Sequence, residues 1–193
     1  LSEGHIGDCG KAARAFAAEH GAFDVSTLRE PYRIEGKKTL ALEIAEQLDW
    51  KLPDAIIYPT GGGTGLIGMW KAFTELRDAG WVDGRLPRLY SVQSTGCAPV
   101  VQAFERGSDH TEPWPDPHTV ASGLRVPAPI GGRLMLSALR ESGGEARAVT
   151  DAALSGAADR MTRMAGIDAG PEGGATLAAL ETLTEDGAIA AGE

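Results

Sequence analysis

The chain has 193 residues, enough for one domain with a full core or for one domain plus part of another. Hydrophobic residues make up 42% and charged residues 23%, a globular balance, and the net charge of -9 argues against nucleic acid as a partner, since that surface must be basic. The sequence holds no run of 18 apolar residues and so predicts no transmembrane helix and no membrane partner.

Leu1 to Asp8 contain neither a basic region nor an apolar core of a signal peptide, which predicts a cytoplasmic protein; the missing start methionine hints at a truncated N-terminus. Residues 9–19 are Ala-rich and read as a helix, with Asp8 as N-cap and Gly21 as its stop. Residues 22–36 read as irregular, with Pro31 and Gly36 as breakers. Residues 37–48 form an amphipathic pattern in which Leu40, Ile44 and Leu48 share a face. Ala55-Ile56-Ile57-Tyr58 suits a buried parallel strand, followed by a glycine loop and a helix over 66–79. Residues 88–93 are a second strand, 97–105 a helix, and 107–121 a proline-marked surface excursion. A helix over 133–141, a short strand at 147–149, a helix over 151–165 capped by Asp151, and a helix over 174–185 complete the order. Strand–helix alternation of this kind predicts a three-layer α/β sandwich on a mostly parallel sheet.

Cys9 and Cys97 lie far apart and read as buried free thiols rather than a secreted disulfide framework. His5, His20, His110 and His118 lack metal-ligand spacing, so no metal is expected.

The most informative stretch is Thr60-Gly61-Gly62-Gly63-Thr64-Gly65, between a strand and a helix. Glycines let the backbone turn tightly and aim successive N–H groups at one spot, the helix N-terminus adds its positive dipole end, and Thr64 offers a hydroxyl. Such a loop is a phosphate cradle. A nucleotide P-loop is excluded because Gly65 is followed by Leu66 rather than Lys. Gly63-Thr64-Gly65-Leu66-Ile67-Gly68 matches a dinucleotide fingerprint, but the second strand ends Ser91-Val92-Gln93-Ser94 with no acid to hold a ribose. The third class is the phosphate cup of a pyridoxal-phosphate (PLP) enzyme.

Tyr58 to Lys71 resembles the phosphate loop of threonine-synthase-like PLP enzymes, within the tryptophan-synthase beta-like fold type II family. Glu30-Pro31-Tyr32-Arg33-Ile34-Glu35-Gly36-Lys37-Lys38-Thr39 resembles the segment that precedes it, and Ala121 to Pro127 and Gly170 to Thr176 resemble two later segments in the right order. The resemblance implies the PLP fold in incomplete form, with residues 1–21 ending a smaller domain and 22–193 forming the C-terminal part of the large domain. It implies pyridoxal 5'-phosphate as cofactor, its phosphate held by Gly61, Gly62, Gly63, Thr64 and Gly65, with Glu172 near the ring and Ser122 and Gly123 lining the pocket. It implies Arg33 as the group that meets a substrate phosphate, with Thr27 or Ser26 as hydroxyl donors where many relatives carry Asn; Lys37 could reinforce the local potential. The implied reaction converts O-phospho-L-homoserine and water to L-threonine and phosphate, in a protein that is a homodimer at full length. The alternatives are a threonine or serine ammonia-lyase of the same fold and a non-catalytic α/β remnant. Lys11, Lys37, Lys38, Lys51 and Lys71 all lack the family's Ser-Phe-Lys context, so the Schiff-base lysine is expected outside this chain and the 193 residues alone are expected to be inactive.

Overall fold

The computed structural model describes residues 6–190, 192 and 193; His5 and most of the Leu1–Asp8 segment lie outside the described residues. The elements run α1 (Ile6–His20), α2 (Tyr32–Gln47), β1 (Ala55–Pro59), α3 (Thr64–Asp78), β2 (Arg88–Ser94), α4 (Pro99–Glu105), α5 (Gly132–Ser142), β3 (Ala146–Val149), α6 (Asp151–Ala165) and α7 (Pro171–Glu185). The strands form a wholly parallel sheet of order β1-β2-β3, with Ile57 beside Tyr90 and Gln93 beside Ala148.

Strand residues alternate between two faces and so feed two cores. Leu89 and Ala146 join Leu66, Ile67, Val100, Val101, Met135, Leu136 and Leu139, contributed by α3, α4 and α5. Tyr90, Val92 and Val149 point the other way and join Leu154, Ala157, Ala175, Ala178 and Leu183 from α6 and α7. The result is the three-layer sandwich expected from the alternation of strands and helices. A third cluster, of Ala41, Ala45, Met69, Ala72, Phe73 and Leu76, packs α2 against α3.

Several boundaries differ from the expectations. Helix α2 begins five residues early, at Tyr32. Pro31 occupies its N-cap position rather than breaking it, and the Glu30 carboxylate accepts the Arg33 amide at 3.2 Å. Gly36 is carried inside the helix because burial of Ile34, Ala41 and Ala45 outweighs its unfavourable propensity of about 1 kcal/mol. Leu48 is not part of that buried face; it follows the helix and is exposed. Asp8 lies within the first turn of α1 rather than capping it, and Cys9 is exposed, whereas Cys97 is a buried free thiol. Thr150, not Asp151, caps α6, accepting the Ala153 amide at 3.1 Å. Helices α3 and α7 also start earlier than expected, at Thr64 and Pro171.

The α2–α3 approach is close because Gly68 has no side chain. A Cβ there would stand 2.7 Å from Lys37 Cβ and 3.0 Å from the Lys37 carbonyl carbon. Beside this seam Lys38 bridges Glu35 and Glu75 at 2.6 and 2.7 Å, and Lys71 bridges the same two carboxylates. Among the described residues no helix is long and apolar enough to cross a membrane. Replacing Gly68 with Ala forces α2 away from α3, so we expect Gly68→Ala to destabilise the fold by about 1–3 kcal/mol, measured by urea unfolding at unchanged m-value; an unshifted midpoint would show that the seam adapts freely.

Candidate functional site

The carboxyl ends of β1 and β2 and the head of α3 meet at the glycine loop, the position where open parallel sheets bind ligands. Thr60 is 1% exposed and fixed at three atoms. Its amide donates to Val92 O at 2.8 Å, its hydroxyl donates to Tyr58 O at 2.9 Å, and its carbonyl accepts from Gln93 Nε2 at 3.2 Å. Gly61 then passes so close to the 122–124 turn that a Cβ would collide with Gly123 O. Gly63, the residue before α3, takes φ +85, a left-handed conformation costly for any other residue, and its face is closed by the Met135 thioether.

Among the described residues none accepts a hydrogen bond from the amides of Gly61 through Leu66; the first helical bond in this stretch is from Ile67 N to Gly63 O at 3.0 Å. A row of unpaired donors at the head of a 15-residue helix has the electrostatics that suit an anion. The Thr64 hydroxyl, half-buried in the first turn, likewise donates to no acceptor among the described residues.

The other predicted site residues fall into two groups. Thr27 borders the loop, its methyl 3.6 Å from where a Gly62 Cβ would stand. Gly123 contacts Gly61 on one side, and its amide donates to Glu172 Oε1 at 2.8 Å on the other. Glu172, in the first turn of α7, therefore clamps the turn that backs the loop, and Ser122 is exposed beside it. Ser26 is turned toward Asp24, whose carboxylate accepts its amide at 2.9 Å and is held below its ordinary range by the Ser26 hydroxyl and amide.

Arg33 forms the second group. It is exposed on α2, donating from Nη2 to Val25 O at 2.7 Å, and it shares an open recess with Lys37 and Tyr58. Tyr58 separates that recess from the loop, its hydroxyl filling the space that a Gly65 Cβ would need, and burial pushes its pKa above the ordinary value. Lys38 and Lys71 are engaged with Glu35 and Glu75; Lys11 pairs with Asp8; Lys37 and Lys51 are exposed.

Two residues went unread as site elements in the sequence. Gln93 is fully buried and spans from the loop to α4, accepting the Val100 and Val101 amides at 2.9 and 3.3 Å while donating to Thr60. Asp151 ties the strand ends to the 107–121 excursion, accepting Ser94 Oγ at 2.8 Å, Thr119 Oγ1 at 2.6 Å and the Val120 amide at 2.9 Å. Burial raises the Asp151 pKa, but the Thr119, Val120 and Ser94 hydrogen bonds outweigh it and the net direction is down. A polar residue near a strand end was the available signal for Gln93 and an acid at a helix start for Asp151; their partners are distant in sequence. Among the described residues no group of three or more His, Cys, Asp or Glu side chains could hold a metal ion.

A parallel α/β sheet whose strand ends carry a glycine loop of unpaired backbone donors is the architecture of phosphate-binding α/β proteins. The pyridoxal-phosphate dependent enzyme family matches residues 1–193, and the chain belongs to that family. It is 35% identical over 186 residues to the threonine synthase of Methanosarcina acetivorans, covering 96% of this chain and 45% of the relative. It is 36% identical over 159 residues to that of Methanocaldococcus jannaschii, covering 82% of this chain and 39% of the relative. The chain thus spans about half the length of the curated relatives it matches. Among solved structures, maize serine racemase superposes with a TM-score of 0.73 at 24% identity, over 92% of this chain and 52% of the other. A threonine deaminase from T.th. superposes with a TM-score of 0.70 at 25% identity, over 92% and 60%. These likenesses place the fold among fold type II PLP enzymes. The donor set fits the family's cofactor: amides without protein acceptors at a helix head suit a phosphate, and Cβ-free glycines admit close approach.

Because Asp151 titrates lower in the folded chain than its ordinary 3.8, its cluster stabilises the fold above that value and is lost as pH falls through the lower folded pKa. We expect the melting temperature to drop on acidification more steeply in wild type than in Asp151→Asn, read by calorimetry from about pH 5 downward, about a unit above the ordinary value, where the loss begins. Parallel profiles would show that the cluster contributes nothing.

Proposed function

We propose that this chain is the C-terminal portion of a PLP-dependent threonine synthase that converts O-phospho-L-homoserine and water to L-threonine and phosphate. The observation that carries the reading is the cradle of unpaired amides from Gly61 to Leu66, set within a sequence 35% and 36% identical to two curated threonine synthases. In this reading Gly61, Gly62, Gly63, Thr64 and Gly65 hold the cofactor phosphate, and Glu172 keeps the 122–124 turn against the loop while standing near the cofactor ring. Bound PLP supplies an electron sink for carbanion chemistry.

Arg33 binds the substrate phosphate and holds it as it departs. Its guanidinium is exposed, with one nitrogen bonded to Val25 O, and a planar fork suits a phosphate. Thr27 offers a hydroxyl from the adjoining segment, and Ser26 would serve only by releasing its hydroxyl from Asp24. Lys11, Lys38 and Lys71 are engaged with carboxylates, Lys37 and Lys51 are exposed, and none stands in the family's Ser-Phe-Lys context, so in this reading the amine that holds PLP and moves protons is supplied by the other half of the protein. Residues 1–21 belong to a smaller domain, a reading supported by α1, which buries none of its residues. The full-length protein is a cytoplasmic homodimer.

The second reading, an ammonia-lyase, draws on the 25% likeness to a threonine deaminase. An assay of the complete gene product separates the two. We expect phosphate release from O-phospho-L-homoserine with stoichiometric threonine; 2-oxobutyrate from threonine, without phosphate release, would establish the lyase instead. In the same protein Arg33→Gln should raise KM for the phosphorylated substrate about tenfold or more, as expected for loss of charge-assisted bonds worth about 1.5–3 kcal/mol, and an unchanged KM would remove Arg33 from the site.

A further inference from the structure

We infer that Gln93 is a positioning residue for the anion cradle, fixing the direction of its first donor, the Gly61 N–H. The inference rests on the reading of the glycine loop as the cofactor's phosphate site and names what holds that site in shape. Thr60 O and Gly61 N–H belong to one planar peptide unit, and the described residues contain no cis peptide bond, so in this unit the two groups point in opposite directions. When Gln93 Nε2 donates to Thr60 O, it fixes the plane and points the Gly61 N–H away from the core. Gly61 has no side chain to oppose rotation of that plane, which makes an external hold necessary.

Gln93 is itself held rigidly. It is fully buried, and Oε1 accepts both the Val100 and Val101 amides, which leaves Nε2 to serve Thr60. Both ends of the amide have partners of the right polarity, so its orientation is determined. A side chain must both donate and accept to do this, and Met, Leu or Glu cannot replace it fully. A hydrogen bond to the carbonyl also polarises the peptide and strengthens its N–H as a donor. Gln93 thereby links the cradle to the first turn of α4.

The test uses aldehyde-free ligands, so that lysines form no adduct. Pyridoxine 5'-phosphate and pyridoxine are titrated into the 193-residue chain by calorimetry, and the ratio of their dissociation constants reads the phosphate contribution. We expect wild type to prefer the phosphorylated ligand and Gln93→Met to lower that ratio about three- to tenfold, the range of one hydrogen bond. Leu139→Ala, which opens the core away from the loop, should lose stability and keep the ratio. An unchanged ratio in Gln93→Met, or an equal fall in Leu139→Ala, overturns the role of Gln93 and leaves the cradle intact. No phosphate preference in wild type overturns the cradle, and this inference with it. If Gln93→Met does not fold, the wild-type side-chain amide resonance of Gln93 decides: it should move downfield with pyridoxine 5'-phosphate and not with pyridoxine, and a stationary resonance refutes the assignment.

Discussion

A cradle made of backbone amides has no rotamers to adjust. Its aim is the orientation of consecutive peptide planes, and those are set by whatever grips the chain on either side. Thr60 is gripped at its amide, hydroxyl and carbonyl, each by a different acceptor or donor. Gly61 is confined by the Gly123 carbonyl, and Gly63 by its left-handed φ and the Met135 side chain. Much of the molecule can be understood as support for these few residues. Strand β2 supplies Val92 and Gln93, the 122–124 turn supplies Gly123, and α5 supplies Met135, which is itself fully buried.

The sheet explains how those supports arrive from distant parts of the chain. Parallel pairing sets Pro59 beside Val92 and Ser94 beside Val149, so the strands end side by side and their outgoing loops converge. Alternation along β2 then divides the labour. Leu89 faces the α3–α5 core, and Gln93, on the same side, reaches Thr60 and α4, while Tyr90 and Val92 face α6 and α7. Position 93 lies where the inward face of the strand reaches the loop, and an apolar residue there would leave two α4 amides and one loop carbonyl unpaired. Each such buried unpaired group costs about 1–3 kcal/mol, which is why a polar residue is tolerated at the heart of this core.

The local features were legible from residues alone. Short apolar runs gave β1 and β2, and the glycine cluster after β1 gave the cradle, because turn chemistry and helix dipoles act over a few residues. The start of α2 was not legible because Pro31 reads as a breaker, and only the Glu30 carboxylate on the Arg33 amide and the burial of Ile34 make it a beginning. Asp151 has the composition of a cap, yet its oxygens are taken by Ser94, Thr119 and Val120, leaving the cap to Thr150. Gln93 stood in the sequence only as the place where an acid was missing; its partner, Thr60, is 33 residues away. For Asp151 and Gln93 the error came from a side chain whose partners are set by tertiary packing; for α2 the Glu30 contact is local, and it is the burial of Ile34 that the sequence did not show.

The glycine loop and the segment before α2 are held in different ways. The phosphate cradle is tied into the core by buried groups, so it can change little without loss of the fold. The segment from Ala22 to Pro31 is tied differently, by the Asp24–Ser26 and Arg33–Val25 hydrogen bonds and the Glu30 cap, with Phe23 and Val25 exposed. Leu28 anchors the segment by packing against the α3–α5 core beside Gly131 and Ile67, while its exposed positions can exchange side chains at small cost to stability. Thr27 reaches from it to the loop, against Gly62. The glycine loop, by contrast, is bounded by the fully buried Thr60, Gln93 and Met135, so a change there is felt in the core as well as in the loop.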